Sequence, residues 1–293
     1  MKNKTIILIA CICFVAVPIF WYFKADFFPL PIETKIKDAQ SAVSAVKDKI
    51  LKISKDISNP GPLFGSKKST GTILTREGIL MWTNIQRKQN SEFENLKSNP
   101  DLNKIAELRL DDMFQKQYFE HVSPTGESAS DVADDVGYEY IAIGENIALG
   151  NFDNDEDIVQ AWMNSPGHRA NILNKRYREI GIAAKKGIYD GDEVWIAVQI
   201  FGRPLSDCTE PSISLKNQIE NEQKNLENLK EEANALYENL SSLKNTLSPT
   251  EYNIKVDEYN VVVNKVNDKI ALVKELIKKY NAQATTFNTC IEN

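Results

Sequence analysis

An α+β domain set between helical extensions is the fold class this sequence predicts, and three observations predict it. From about residue 72 to 206 the chain mixes amphipathic helical patterns with two alternating strand patterns. Both flanks lose the strand signal and keep apolar residues at helical 3/4 spacing. The N-terminus opens with an apolar run behind two lysines. At 293 residues the chain exceeds one ordinary domain. Its net charge of −6 argues against a nucleic-acid partner, because phosphate contact requires a basic surface.

The first element is "MKNKTIILIACICFVAVPIFWYFKADFF". Lys2 and Lys4 precede an apolar stretch from Thr5 to Phe23, about long enough to cross a bilayer at ~1.5 Å per residue. Trp21, Tyr22 and Phe23 stand at its far end, where aromatic rings favour the interface. No small-x-small cleavage site follows, so residues 1–24 read as an uncleaved transmembrane signal anchor. "LIAC" (8–11) is similar to a lipoprotein processing site, but the run before Cys11 is short and continues past it. The lysines predict a cytoplasmic N-terminus in a single-pass cell-membrane protein, with everything after residue 24 extracytoplasmic.

Residues 33–58 carry a heptad, with Ile36, Val43, Ile50 and Ile57 seven apart and Ala39, Val46 and Ile53 between them. The pattern predicts an amphipathic helix, either lying on the membrane or the main domain, or forming a stalk through which two copies associate. "NPGPLFGSKKSTG" (59–71) reads as a linker, since Pro and Gly end the helix.

Within 72–206, helices are predicted over 74–90 with Thr75 as N-cap, 101–119, 128–137 stopped by Gly137, and 154–163 capped by Asn154. Segments 179–187 and 193–202 read as strands joined by the turn-rich "IYDGD". Helices around a small antiparallel sheet fit this order. Trp82, Trp162 and Trp195 read as core residues.

Beyond residue 208, Leu215, Ile219, Leu226, Leu229, Ala233, Leu236, Leu240, Leu243 and Leu247 keep a 4/3 rhythm, broken once by Glu222. "SPTE" (248–251) supplies an N-cap, a first-turn proline and a capping box. A second helix carries the same rhythm from Val256 to Phe287. Over 209–289 these predict an antiparallel coiled-coil hairpin, a surface for a protein partner. Cys208 and Cys290 bracket it with the turn midway, so folding back brings them to one end, and outside the cytoplasm they are predicted to form a disulfide.

The chain has two histidines, His121 in "YFEHVSPTG" and His168 in "SPGHRANIL". With Ser165 as N-cap and Pro166 first in the helix, the dipole at the third position disfavours a charged imidazole at His168. Between them Glu145 sits among Ile, Ala and Leu in "AIGENIALG", where a lone carboxylate is expensive to bury. Two imidazoles and a carboxylate make a common divalent-metal set, Zn2+ first among the candidates. The same three can polarise a water, and they can equally be packed, hydrogen-bonded polar residues. Ser123 and Ser165 each precede a proline and read as turn or cap residues, not nucleophiles.

"REGILMWTNIQR", "YFEHVSPTG", "GENIALG", "AWMNSPGHRANILN", "EIGIAA" and "VWIAVQIFG" follow one another in this order. The set resembles the SCP domain of the CAP superfamily (cysteine-rich secretory, antigen 5 and pathogenesis-related proteins), in its bacterial branch, over roughly 72–206. The resemblance implies an α-β-α sandwich with a cleft where two histidines and acidic residues meet, and His121, Glu145 and His168 match the family's cleft positions. Many eukaryotic members carry a second Glu three residues after the tryptophan of the fourth helix; Ser165 stands there, so the implied set is a triad, as in bacterial relatives with "SPGHR". Asn146 and Gln199 match recurrent positions, implying a loop-fixing hydrogen bonder and a supporting group. The family is linked to lipid or sterol binding, divalent-metal binding and, in places, proteolysis. The reading adopted is a membrane-anchored extracytoplasmic module whose cleft binds a divalent metal or a small, lipid-like ligand. A hydrolase and a structural surface protein are the alternatives.

Overall fold

The computed structural model describes residues 55–66, 71, 73–90 and 93–293. The predicted anchor and residues 33–54 of the heptad lie outside them. The described residues fall into two compact units, one running to Lys216 and joined by Ile277–Asn293, the other Asn217–Leu276. Among the described residues no helix is long and apolar enough to cross a membrane.

In the larger unit the first four helices begin at a side-chain cap or capping box. Thr75 Oγ1 accepts from the Gly78 amide at 3.0 Å and opens α1 (Arg76–Asn90). Asn99 Oδ1 accepts from Asp101 and Leu102 amides and opens α2 (Pro100–Lys116). That helix stops short of the predicted residue 119, because Gln117 turns left-handed at φ 52° and sends Tyr118 and Phe119 into the core. Ser128 and Asp131 form a capping box on α3 (Ala129–Val136), and Gly137 at φ 83° closes it. Asn154 caps α4 (Asp155–Asn164), and α5 (Pro166–Ile172) follows with Pro166 in its first turn.

The sheet centres on three antiparallel strands, β4 (Tyr140–Gly150), β6 (Asp192–Pro204) and β5 (Glu179–Tyr189), with β6 between the others. β5 and β6 are the predicted hairpin; Asp190 and Gly191 both have positive φ, which matches the strands' twist. The sequence did not reveal β4. All eleven of its residues are buried, so the polar alternation that marks a half-exposed strand is missing. Three short strands add parallel pairs at the edges: β1 (Asp56–Ser58) and β2 (Leu63–Phe64) on β4, and β3 (Lys97–Ser98) on β5. β1 and β2 correct two expectations. Ile57 lies in a strand, not in a heptad helix running to 58, and the supposed linker at 59–66 follows the free edge of β4.

Alternation along the strands builds two cores. Ile143, Ile147, Val198 and Ile200 pack under α2 and α3, while Ala142, Ala148, Ala197 and Phe201 pack under α1, α4 and α5. Helices therefore cover both sheet faces, the expected three-layer arrangement. Trp162 and Trp195 are buried and Trp82 half-buried in the second core, as expected.

The same unit holds the Cys208–Cys290 disulfide, with Cα atoms 5.8 Å apart, packed with Ile141, Phe287 and Ile291. In the smaller unit, the parts of α6 (Ile213–Leu243) and α7 (Pro249–Glu292) that lie between 217 and 276 run antiparallel. Leu226, Ala233 and Leu240 bury against Tyr259, Val262, Val266 and Ile270. Glu222, the break in the seam, pairs with Lys269 of the facing helix at 2.5 Å. Ser248 and Glu251 form the predicted capping box.

Candidate functional site

The site lies on and beside β4. Glu145 shares the α2 face with Ile143 and Ile147, and Asn146 turns to the opposite face. Glu145 is fully buried and doubly partnered: Oε1 takes Arg109 Nε at 3.0 Å and Oε2 meets His121 Nδ1 at 2.5 Å. Burial works against the Arg109 charge, but the carboxylate and Tyr118 outweigh it and its pKa is raised. The remaining guanidinium nitrogens reach Tyr118 Oη and the carbonyls of Glu120 and His121, fixing the loop that carries His121. Sequence reasoning missed Arg109, although the signal existed. It lies four residues from both Ile105 and Met113, on the buried stripe of α2, where a charge demands a partner.

His121 Nε2 bonds the Pro60 carbonyl. A carbonyl only accepts, so Nε2 carries a hydrogen. His168 touches neither group. Its Nδ1 meets Ser165 Oγ at 2.8 Å, and its buried Nε2 makes no hydrogen bond. Burial first, and the charge of His121 second, push His168 down to about 4, with a small opposing pull from the Ile147 carbonyl. The helix-start argument for a neutral imidazole thus reaches the right state, through desolvation.

Asn146 and Gln199 are cross-strand partners in a buried chain. Asn146 Nδ2 donates to Gln199 Oε1 at 3.1 Å and to the His168 carbonyl at 3.3 Å, and Gln199 Nε2 donates to Thr83 Oγ1 at 2.8 Å. Asn171 Nδ2 donates to Asn146 Oδ1, the Glu145 carbonyl and the Ser58 carbonyl at 3.0–3.3 Å. The structure therefore joins His121 to Glu145 and ties Asn146 to Gln199, while the His168 ring hydrogen-bonds only Ser165 and feels His121 through its charge.

This arrangement does not fit a metal cage. Both Glu145 oxygens are engaged, one by a guanidinium that repels a cation, and both His121 nitrogens face acceptors. Among the described residues no three His, Cys, Asp or Glu side chains gather as ligands. Nor does the Ser165–His168 pair make a nucleophile and base. A histidine titrating near 4 is a poor base, and among the described residues no carboxylate orients its other nitrogen.

Residues 82–201 match the model of the CAP, or cysteine-rich secretory protein, family. This segment is a CAP domain. The domain is 40% identical over 117 residues to the uncharacterized protein YkwD of Bacillus subtilis, covering 40% of this chain and 43% of that one. It is 31% identical over 111 residues to the uncharacterized membrane protein YlbC of the same organism, covering 38% of this chain and 32% of that one. The chain thus spans under half the length of the curated relatives it matches. An extracellular protein containing a SCP domain from Bacillus anthracis aligns at 30% identity and TM-score 0.37, over 43% of this chain and 39% of its own. An outer surface protein from Borrelia burgdorferi aligns at 21% identity and TM-score 0.39, over 45% of this chain and 96% of its own. The strap at 55–66 precedes the CAP-matching residues.

Proposed function

We propose that this chain is a membrane-anchored, extracytoplasmic CAP-domain protein that binds a ligand and does not hydrolyse one. The observation that carries the reading is the commitment of Glu145. This carboxylate is fully buried with each oxygen held by a protein partner, an arrangement that favours a fixed structural anion over a base for a substrate water. His121 Nε2, which bonds the Pro60 carbonyl, is a hydrogen-bond donor suited to a ligand that offers a carbonyl or similar acceptor. The N-terminal apolar run behind Lys2 and Lys4 supports anchoring. The disulfide supports an oxidising compartment, and one relative is named a membrane protein. The helical hairpin, read as a coiled coil, is proposed as an arm for a protein partner.

Incubation of the full-length protein with peptide and cell-wall substrates tests the reading. No product above that of Glu145→Gln is expected. Turnover that disappears in Glu145→Gln, with the melting curve retained, would restore the hydrolase.

A further inference from the structure

The free edge of β4 is covered by the protein's own strap, and the manner of covering is informative. β1 pairs Asp56, Ile57 and Ser58 with Ala142, Ile143 and Gly144, and β2 pairs Leu63 and Phe64 with Ala148 and Leu149. From Ser58 to Leu63 the strap advances five residues while β4 advances four, from Gly144 to Ala148. The extra residue lets "NPGP" leave the ladder, and neither Pro60 nor Pro62 has an amide hydrogen to contribute to it. The detour places the Pro60 carbonyl on His121 Nε2 and the Pro60 ring against Gly167 of α5, where an added Cβ would stand 2.6 Å from Pro60 Cβ. Ser58 meanwhile presents its carbonyl to Asn171.

Beyond main-chain pairing and this one seat, the strap adds a few side-chain contacts: Phe64 edge-to-face on Phe119 at 5.3 Å, Lys55 over the Tyr140 ring at 4.4 Å, and Leu63 against the second core. Ile57 is 47% exposed and Phe64 68%. Its ion pairs, Lys55–Asp134 and Asp56–Arg176, are solvent-exposed on the acid side and add little. Main-chain pairing for affinity plus one shaped seat for selectivity is how sheet edges recognise extended peptides.

We propose that the β4 edge beside His121 is a receptor for an extended, proline-bearing polypeptide, and that residues 55–66 are its resident, exchangeable occupant. The proposal rests on the binding reading above and names its ligand class. An incoming segment pairs parallel to β4, seats a proline on Gly167 and offers that proline's carbonyl to His121. The resident segment competes with it, so affinity is lowered by the fraction of time the strap is seated.

The test uses the full-length chain in detergent and a fluorescein-labelled peptide of residues 55–66, with a scrambled peptide as control. Ile57→Pro/Leu63→Asp alters the strap and leaves the receptor untouched. This variant is expected to bind the peptide at least about tenfold more tightly than wild type, and adding Gly167→Leu is expected to abolish binding. A variant with a native melt that binds neither peptide, or both equally, overturns the proposal. Should it not fold, hydrogen exchange on the wild type decides: amides of the strap are expected to exchange at least about a hundredfold faster than those of the β5–β6 ladder. Equal protection overturns exchangeability. Mass spectrometry of the incubated peptide separates the two readings, since cleavage would overturn the binding function while intact, unbound peptide would overturn only the receptor.

Discussion

Arg109 and Glu145 illustrate how a buried ion pair restricts the chemistry around it. Removing only the cation leaves a buried carboxylate with His121 as its remaining partner. Arg109→Leu is therefore expected to destabilise the domain by roughly 3 kcal/mol, with Arg109→Leu/Glu145→Leu recovering part of that loss; urea denaturation of both variants measures it. His168 gives a pH dependence of definite sign. Its folded pKa, about 4, lies below the ordinary 6.5, so between those values the unfolded chain binds more protons. Stability is fully present above pH 6.5 and is lost as pH falls toward 4, by up to about 3 kcal/mol. His168→Gln should flatten that part of the profile relative to wild type. The residues themselves were largely legible: two histidines in 293 residues and a glutamate among aliphatics stand out. That His121, and not His168, touches the acid was not legible, because it depends on which face of β4 each loop approaches.

At the scale of elements, the helices announced themselves through caps. Thr75, Asn154 and the Ser248–Glu251 pair are local signals, and each falls where the sequence places it. The strands were harder. β5 and β6 carry a turn between them, but β4 is buried on both faces and along its edge, which erases periodicity. The strap was misread as the end of a helix and a linker because its partner is distant in sequence, as Ile57 is from Ile143, and no local pattern records that pairing. The layering also depends on close approach. At Gly181 on β5, an added Cβ would collide with the main-chain carbonyl of Leu102 on α2. Gly181→Ala should push α2 off the sheet and lower stability by roughly 2 kcal/mol or more, read as a fall in the thermal midpoint.

For the whole molecule, the cysteines set the closure of the C-terminal hairpin. The Cys208–Cys290 bond spans 82 residues, a loop whose constraint on the unfolded chain is worth about 4.5 kcal/mol in the chain-entropy account. Cys208→Ser/Cys290→Ser is expected to lower resistance to denaturant by an amount of that order, while the antiparallel packing of Leu226, Ala233 and Leu240 on Tyr259 and Val266 persists in circular dichroism. This closure was legible because a turn at "SPTE" with arms of matched length leaves the two thiols at one end.

The same crosslink makes residues 209–289 a covalent ring on the polypeptide. A protease that cuts once near Thr246 splits the backbone yet releases nothing: both fragments stay tethered through sulfur, and electrophoresis shows one band of full mass until a reductant is added. Damage to the hairpin in an oxidising environment is thereby retained on the molecule instead of shed from it.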